Sequence, residues 1–345
     1  MQQISTTPEG VRAGTLNPQA MPLVLTPVQP GLALGPWVEQ NRAWIDGTLT
    51  ATGAILFRGF GMADPVADFE RVSRQLTGDL LDYVYRSTPR TAVASSVYSA
   101  TEYPAKSTIP QHNENAYCRD WPMKLLFICT QPAMLRGETP LCVTAAVTRR
   151  ISEATRAAFR EKGVLYVRNY HEMVDLPWSV VFQTESKAEA EQFCREHDIQ
   201  FEWQAGGSLK TWQRCQAFAV HPVTGEELWF NQAHLFHASS LDKANYQALR
   251  ALYTEDQFPR NTYFGDGTPI PAEMLDEIRA AFAAETIAFP WQRNDVLLVD
   301  NMQVGHGRNP FSGPRKVLVC MGQPYSAFGQ RAVFPDFEAK LDAAA

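Results

Sequence analysis

Between residues 124 and 321 the chain alternates short apolar runs with longer helical patterns. The runs are rich in Val, Leu, Ile, Phe and Tyr and are bounded by Gly, Pro, Asn or Asp, as is typical of β-strands. They are KLLFICTQ, TPLCVT, GVLYVRNY, AFAVHP, ELWFN, DVLLVDN and RKVLVCM. The helical patterns lie at about 144–162, 186–198, 241–256 and 271–284. Together they predict one α+β domain in which helices surround a β-barrel-like core.

The segment before residue 124 divides into an arm and the start of this domain. Residues 1–35 are rich in Pro, Thr and Gly and are predicted to form an N-terminal arm with one short strand, followed by a single domain over 36–345. A helix over 64–76 is indicated by Asp64 as N-cap and Pro65 at the first position. The remaining predictions here are a helix over 36–53, a strand over 54–60, and short strands with loops over 83–111.

Composition limits the partners of this domain. The 345-residue chain has a net charge of −6 and no long Lys/Arg block, which argues against nucleic acid or an anionic membrane as a partner. The apolar runs are too short to span a membrane, and no secretory signal pattern begins the chain. Six cysteines without a CxxC pair indicate reduced thiols in a cytoplasmic protein. The oligomeric state stays open, with a homo-oligomer among the alternatives.

Three side chains match the ligand set of one Fe(II) ion. His112 and Glu114 stand two residues apart in PQHNENAY, and on a strand such residues point to the same face. His306 lies in the sequence GHG, whose glycines permit a tight turn and close approach of a metal. Two imidazoles and one carboxylate leave the other side of the ion open for a second reactant and O2. The set predicts an oxygenase, although an HxE tripeptide alone is common by chance.

Arg315, nine residues after His306, is the candidate group for binding an organic co-substrate. A guanidinium binds a terminal carboxylate through two parallel hydrogen bonds. Thr139, in RGETPL, offers a hydroxyl to the same carboxylate. Lys316 and Arg308 are alternatives for this role. Neighbouring strand residues point to opposite faces, so Arg315 and Lys316 are not expected in one pocket.

The other histidines fit structural roles better. His234 and His237 form an HxxH pair, but no HExxH accompanies it, which argues against a zinc protease. His221 is predicted at a strand end, and His171 and His197 are predicted to be solvated.

Taken in order, four segments resemble the Fe(II)/2-oxoglutarate-dependent oxygenases of the taurine dioxygenase and clavaminate synthase group. They are PQHNENAY, RGETP, HPVTGEELWFNQAHLFH and DNMQVGHGRNPFSGPRKVLV. The resemblance spans about residues 54 to 325 and is closest to the SyrP-like branch, whose members modify amino acids during natural-product biosynthesis. It implies a double-stranded β-helix core of the jelly-roll, cupin-like type with flanking helices.

The resemblance also implies roles for individual residues. It places Fe(II) on His112, Glu114 and His306. It places the distal carboxylate of 2-oxoglutarate on Arg315, assisted by Thr139, and makes O2 the further reactant, with release of succinate and CO2.

One departure from the family concerns the turn before the last metal strand. The familiar Trp-x-x-Gly-Asp reads Trp291-Gln-Arg-Asn294-Asp295 in this chain. Because Asn tolerates the left-handed conformation that Gly supplies, the turn is predicted to be preserved.

The substrate implied by the resemblance is an amino acid or amino-acid-derived intermediate, free or tethered to a carrier protein. Relatives that chlorinate replace the carboxylate ligand with a small residue, so Glu114 favours hydroxylation of an unactivated C–H bond. A desaturase or cyclase with the same iron site, a sulfonate or phosphonate dioxygenase, a zinc hydrolase and a non-catalytic jelly-roll protein are the alternatives. The candidate substrate contacts are Asn115, Tyr117, Arg168, Asn231 and Gln232.

Overall fold

The structure, a computed structural model, describes residues 6–81, 85, 91–94, 97–100, 103–171 and 174–326. Parts of the predicted arm and of the stretch 83–111 lie outside these residues. The strands are β1 (Val11–Gly14), β2 (Leu23–Pro27), β3 (Ala54–Phe57), β4 (Ala92–Ala94), β5 (Val97–Ser99), β6 (Ile109–His112), β7 (Asp120–Gln131), β8 (Leu135–Arg136), β9 (Leu141–Val143), β10 (Val164–Tyr170), β11 (Gln200–Trp203), β12 (Leu209–Cys215), β13 (Phe218–Val220), β14 (Glu227–Trp229), β15 (Arg260–Phe264), β16 (Val296–Asp300), β17 (Val304–Arg308), β18 (Phe311–Ser312) and β19 (Lys316–Ser326).

The longer helices lie where the sequence predicts them, with one interruption, whereas the short helices α5 and α7 were not predicted. They are α1 (Leu34–Thr52), α2 (Pro65–Thr77), α3 (Thr144–Arg150), α4 (Glu153–Lys162), α5 (Trp178–Phe182), α6 (Lys187–Glu196), α7 (Ala233–Phe236), α8 (Lys243–Leu252) and α9 (Ala272–Ala284). The predicted N-cap of α2 is confirmed, because the Asp64 carboxylate accepts from the backbone nitrogens of Val66 and Ala67. The predicted helix over 144–162 is two helices, since the chain turns at Ile151 and Ser152 caps a new helix.

The main sheet has the strand order β1-β2-β3-β16-β7-β19-β5-β4. Leu126 and Ile128 of β7 belong to the cluster under α1 and α2, whereas Leu125 and Phe127 face the opposite side. Both faces of this sheet are therefore covered. For this reason runs such as KLLFICTQ and DVLLVDN are continuously apolar rather than alternating.

A second sheet, with the order β6-β17-β9, packs opposite the main sheet. Leu141 and Val304 from this sheet share one buried cluster with Leu297 and Val299 of the main sheet. The two opposed sheets form a jelly-roll core with helices outside it, so the predicted fold class is confirmed. A four-stranded sheet, β11-β12-β10-β15, stands beside this core and buries an aromatic cluster of its own.

The described part of the N-terminal segment joins the main sheet. β2 pairs in parallel with β3, with Leu23 opposite Ile55, and β1 pairs antiparallel with β2. The sequence predicted one short strand here, and the structure has two. Among the described helices, none combines the length and apolarity needed to span a bilayer.

Candidate metal centre

The three predicted ligands converge at one end of the second sheet. His306 on β17 is the direct pairing partner of His112 on β6, and their ring centroids are 4.6 Å apart. Contrary to the prediction from the sequence, Glu114 does not lie on a strand with His112, because β6 ends at His112 and Glu114 begins the following turn. Its Oε2 nevertheless lies 3.5 Å from Nε2 of His306. One donor atom from each of the three residues lies within 4.8 Å of the other two. Segments almost two hundred residues apart in the chain thus meet at one point.

The glycines that flank His306 serve strand packing rather than a tight turn. A Cβ atom on Gly305 would lie 2.8 Å from Sγ of Cys142, and one on Gly307 would lie 2.5 Å from the Ile109 carbonyl oxygen. Both contacts are shorter than real Cβ atoms allow. The expectation of a turn at GHG is therefore wrong: His306 lies within β17, between two close strands.

The donor set fits a divalent transition metal. Ligand atoms that each bond an ion at about 2.1 Å lie roughly 3 to 4 Å apart, close to the separations here. Nδ1 of His112 lies 2.9 Å from the Pro110 carbonyl, so Nδ1 carries the proton and the Nε2 lone pair is left for a metal. His306 is 5% exposed, and its Nε2 lies 3.5 Å from Oε2 of Glu114, so this nitrogen is the one placed to share an ion with the carboxylate. A cation at this site would offset the cost of burying the Glu114 carboxylate.

Arg315 and Thr139 line the same small cavity as the two imidazoles. Arg315 donates from Nε to the Gly137 carbonyl at 2.8 Å, and one terminal nitrogen lies 3.5 Å from the Thr139 hydroxyl. Trp291 Nε1 donates to that hydroxyl at 3.1 Å, so the Thr139 proton remains for another oxygen acceptor. Burial lowers the pKa of Arg315 to about 10, which leaves it cationic at neutral pH. The cavity therefore pairs a cation with a hydroxyl.

The two alternatives to Arg315 are placed differently. Lys316 is the exposed first residue of β19, in keeping with the expectation that it does not share a pocket with Arg315. Arg308 lines the cavity, but its terminal nitrogens donate to the carbonyls of Tyr103, Pro104 and Ser107. Arg308 thus holds a loop in place.

The predicted turn before β16 is preserved. Asn294 has a φ of 65°, the left-handed conformation that Gly usually supplies. Its neighbour Asp295 is fully buried and receives hydrogen bonds from the Arg58 guanidinium, the shortest at 2.6 Å. This ion pair fixes the start of β16, the strand that leads to the metal centre.

The candidate substrate residues fall into two groups. Asn115 has a φ of 56°, and its buried Oδ1 has no hydrogen-bond partner in the described part of the chain. Tyr117 donates its hydroxyl to the Tyr85 carbonyl at 2.9 Å. The guanidinium of Arg168, which is 2% exposed, lies 5.0 Å from the ring centre of Tyr85. Asn115 and Tyr117 thus belong to the segment that follows Glu114, and Arg168 lies against Tyr85, whose ring contacts that of Tyr117.

Asn231 and Gln232 are tied into the protein framework. Asn231 donates to the Ala217 carbonyl at 2.9 Å and accepts from the backbone of Ala233 at 3.0 Å. Gln232 donates from Nε2 to the Asn113 carbonyl at 2.8 Å. These bonds favour a supporting role beside the centre over direct contact with a substrate.

The remaining histidines form no second metal cluster among the described residues. His234 is buried against Phe282, and burial lowers its pKa to about 3. His221 directly follows β13, as predicted, and its Nε2 lies 2.9 Å from Asp300. His171 and His197, which are predicted to be solvated, are partly exposed, and each also stacks on an aromatic ring.

Sequence reasoning missed a buried amide network beside the HxE segment. Nδ2 of Asn113 donates to the Asn301 carbonyl at 2.6 Å and to the Thr144 hydroxyl at 3.1 Å. The available signal was the pair Asp300-Asn301 at the end of an apolar strand. Polar side chains at such a position are buried, and buried polar groups need hydrogen-bond partners.

The chain is similar to known proteins of one family. The family model described as taurine catabolism dioxygenase TauD, TfdA family, matches residues 25–321. The chain belongs to this family.

Two relatives extend over most of the chain. The dapdiamide synthesis protein DdaC of Enterobacter agglomerans is 43% identical over 280 residues, which are 81% of this chain and 85% of that protein. A clavaminate synthase-like protein of Arabidopsis thaliana is 33% identical over 295 residues, 82% of this chain and 86% of its own. The chain is therefore an Fe(II)- and 2-oxoglutarate-dependent oxygenase of this family.

Solved structures agree on the fold. PvcB of Pseudomonas aeruginosa superposes with a TM-score of 0.54 at 16% identity and covers 92% of each chain. An asparagine oxygenase superposes with a TM-score of 0.52 at 15% identity, over 87% of this chain and 83% of that one. At these identities the likeness concerns the jelly-roll fold.

Proposed function

We propose that His112, Glu114 and His306 bind the Fe(II) of this oxygenase, and that Arg315 and Thr139 bind the distal carboxylate of 2-oxoglutarate. The observation that carries the proposal is the convergence of all five residues. Donor atoms of the first three lie within 4.8 Å, and the cavity that the two imidazoles line also contains Arg315 and Thr139. When bound, Fe(II) would activate O2, which is the oxidant, and 2-oxoglutarate would supply two of the electrons as it is converted to succinate and CO2.

The protein's own residues position and shield these groups. The Pro110 carbonyl holds the His112 ring with its Nε2 lone pair toward the centre. The ring of Phe127 packs 5.1 Å from that of His306, and Val317 and Val319 close the cavity on the same side. This apolar wall excludes water and strengthens the attraction between Arg315 and a carboxylate.

We infer that the substrate is an amino acid or an amino-acid-derived natural-product intermediate, and that an unactivated C–H bond is hydroxylated. The dapdiamide synthesis protein, at 43% identity, supports a role in natural-product synthesis. Glu114 retains the carboxylate that chlorinating relatives lack. Asn115, Tyr117 and Arg168 are the proposed substrate contacts, and the unpartnered Oδ1 of Asn115 is suited to accept from an ammonium or amide group.

The metal assignment is tested with anaerobic protein given Fe(II) and 2-oxoglutarate. The wild type is expected to show the weak visible charge-transfer band of the chelate, and His112→Ala to lose it. Glu114→Ala is expected to lose the coupling between 2-oxoglutarate consumption and product formation. His197→Ala, which removes a ring stacked on Phe193 outside the cavity, is the control and retains both. An unchanged band in His112→Ala would refute the assignment.

The substrate class is tested by screening free and carrier-linked amino acids for substrate-dependent succinate release. Hydroxylation adds one oxygen atom to the product, whereas desaturation or cyclisation removes two hydrogen atoms, so mass spectrometry separates these outcomes. Sulfonates and phosphonates are screened in parallel. Stimulation by these compounds and not by amino acids would reject the proposed class.

A further inference from the structure

The side chain of Asn301 makes hydrogen bonds with both backbone polar groups of Glu114. Its Oδ1 accepts from the Glu114 nitrogen at 2.7 Å, and its Nδ2 donates to the Glu114 carbonyl at 2.9 Å. Nδ2 also donates to the Pro122 carbonyl at 2.8 Å. The side chain is fully buried. One primary amide therefore pairs with Glu114 as a neighbouring strand would.

Glu114 needs such a partner because it lies beyond the end of its strand. β6 ends at His112, whose pairing with His306 belongs to the strand ladder. Asn115 then takes a left-handed conformation with a φ of 56°, and the chain turns away. The Glu114 backbone is therefore held by the Asn301 side chain, because it lies beyond the hydrogen bonds of the β6–β17 pair.

The same asparagine stands at the start of the turn that leads to His306. β16 ends at Asp300 and β17 begins at Val304, so Asn301 opens the connection between them. The Asp300 carboxylate accepts from the backbone nitrogens of Met302 and Gln303 at 3.0 and 3.1 Å and shapes the turn. Asn301 therefore connects the segment that carries Glu114 to the segment that carries His306.

We propose that Asn301 is a positioning residue that sets the Glu114 carboxylate relative to His306 and thereby tunes metal affinity. The proposal rests on the ligand assignment made above. Residues that orient metal ligands without touching the metal typically change affinity by about 10- to 100-fold when replaced. Asn301 acts on the backbone of the ligand residue, so both its donor and its acceptor are required.

The test is isothermal titration of the metal-free protein with Co(II), together with the visible spectrum of the Co(II) form. Asn301→Ser removes the amide, and Asn301→Asp keeps its shape and its acceptor for the Glu114 nitrogen but loses the donor. Both are expected to bind Co(II) at least about tenfold more weakly than wild type. Their spectra are expected to shift toward that of Glu114→Ala.

Asn169→Ser is the matched control. Asn169 is also buried and also donates to two backbone carbonyls, those of Asp256 and Phe258. It lies on β10, in the four-stranded sheet beside the jelly-roll core. It is expected to lower thermal stability while leaving the Co(II) affinity within about twofold of wild type.

The outcomes separate the two hypotheses. Folded Asn301 variants that bind Co(II) like wild type, or a loss of affinity shared equally by Asn169→Ser, would overturn the positioning role and leave the ligand assignment intact. If both Asn301 variants failed to fold while Asn169→Ser folded, the positioning role would be replaced by a purely structural role for Asn301. If Glu114→Ala instead bound Co(II) as tightly as the wild type, the ligand assignment would be overturned.

Discussion

At the scale of single residues, Arg315 shows how burial prepares a group for its ligand. Its hydrogen-bond partners, the Gly137 carbonyl and the Thr139 hydroxyl, are uncharged. Burial lowers its pKa to about 10, which means that the surroundings disfavour the cation. A carboxylate in the cavity would reverse this penalty, so much of the affinity for 2-oxoglutarate is expected to depend on Arg315.

Replacing Arg315 with Ala is expected to raise the KM for 2-oxoglutarate by about 10- to 100-fold, because one charge-assisted pair contributes roughly 1.5–3 kcal/mol. Arg315→Lys is expected to recover only part of this loss, since an ammonium lacks the paired donors. Succinate formation at varied 2-oxoglutarate measures both. The control is Lys316→Ala, the exposed neighbour, and an equal rise in its KM would contradict the assignment.

The residues that could be predicted are those whose side-chain chemistry is unusual for a strand. An imidazole and a carboxylate two apart, and an arginine just before an apolar run, are visible in the sequence. Asn301 could not be given its role in the same way, because its partners are backbone atoms of a residue 187 positions away. Likewise the sequence suggested Asn231 as a lining residue, whereas its hydrogen bonds lie within the framework.

At the scale of elements, the connection between β16 and β17 decides where His306 lies. Asp300 shapes this turn, and its Oδ2 receives hydrogen bonds from His221 at 2.9 Å and from the Gln303 side chain at 3.1 Å. Nδ1 of His221 accepts from the backbone nitrogens of Val223 and Thr224, so the proton is on Nε2, facing Asp300. The buried Asp300 carboxylate therefore depends on the buried His221 imidazole for one of its hydrogen bonds.

His221→Ala is therefore expected to lower the free energy of unfolding by about 3 kcal/mol, since it leaves a buried carboxylate without one partner. Urea denaturation followed by tryptophan fluorescence measures the change. His171→Ala, which removes a half-buried ring stacked on Tyr253, is expected to cost less than about 1 kcal/mol. Equal losses in the two variants would mean that the His221–Asp300 contact contributes nothing specific.

The positions of the strands could be predicted better than the contacts between neighbouring strands. The central parts of β7, β16 and β19 are mainly apolar because they are buried on both faces, and this pattern is visible in the sequence. The glycines beside His306 favour a turn in the sequence analysis, because local sequence does not show that Cys142 and Ile109 lie against them. Close approach by a distant strand is a tertiary property.

At the scale of the whole molecule, the proposed metal centre joins parts of the chain that are otherwise far apart. Of its proposed ligands, His112 lies on β6, Glu114 just after it and His306 on β17; Arg315 precedes β19, and Thr139 comes just before β9. The order in which these strands pair could not be predicted from residue patterns, because an apolar strand fits several neighbours equally well. The family resemblance implies the jelly-roll fold as a whole, and the structure confirms it.

Because the ligands come from separate strands, occupation of the centre should stabilise the whole fold. A ligand at about 100 times its Kd stabilises the native state by about 2.7 kcal/mol when it does not bind the unfolded chain. For a domain of this size that corresponds to a rise in Tm of a few degrees. The residues proposed to bind the metal differ from those proposed to bind the distal carboxylate of 2-oxoglutarate, so variants can separate the two contributions.

Differential scanning fluorimetry of metal-free protein is expected to show one rise in Tm with Mn(II) and a second when 2-oxoglutarate is added. His112→Ala should lose both rises, since 2-oxoglutarate is held partly by the metal. Arg315→Ala should keep the rise with Mn(II) and lose most of the second. If His112→Ala retained the full response to Mn(II), the metal would lie elsewhere in the molecule. The two imidazoles would then be paired for packing alone.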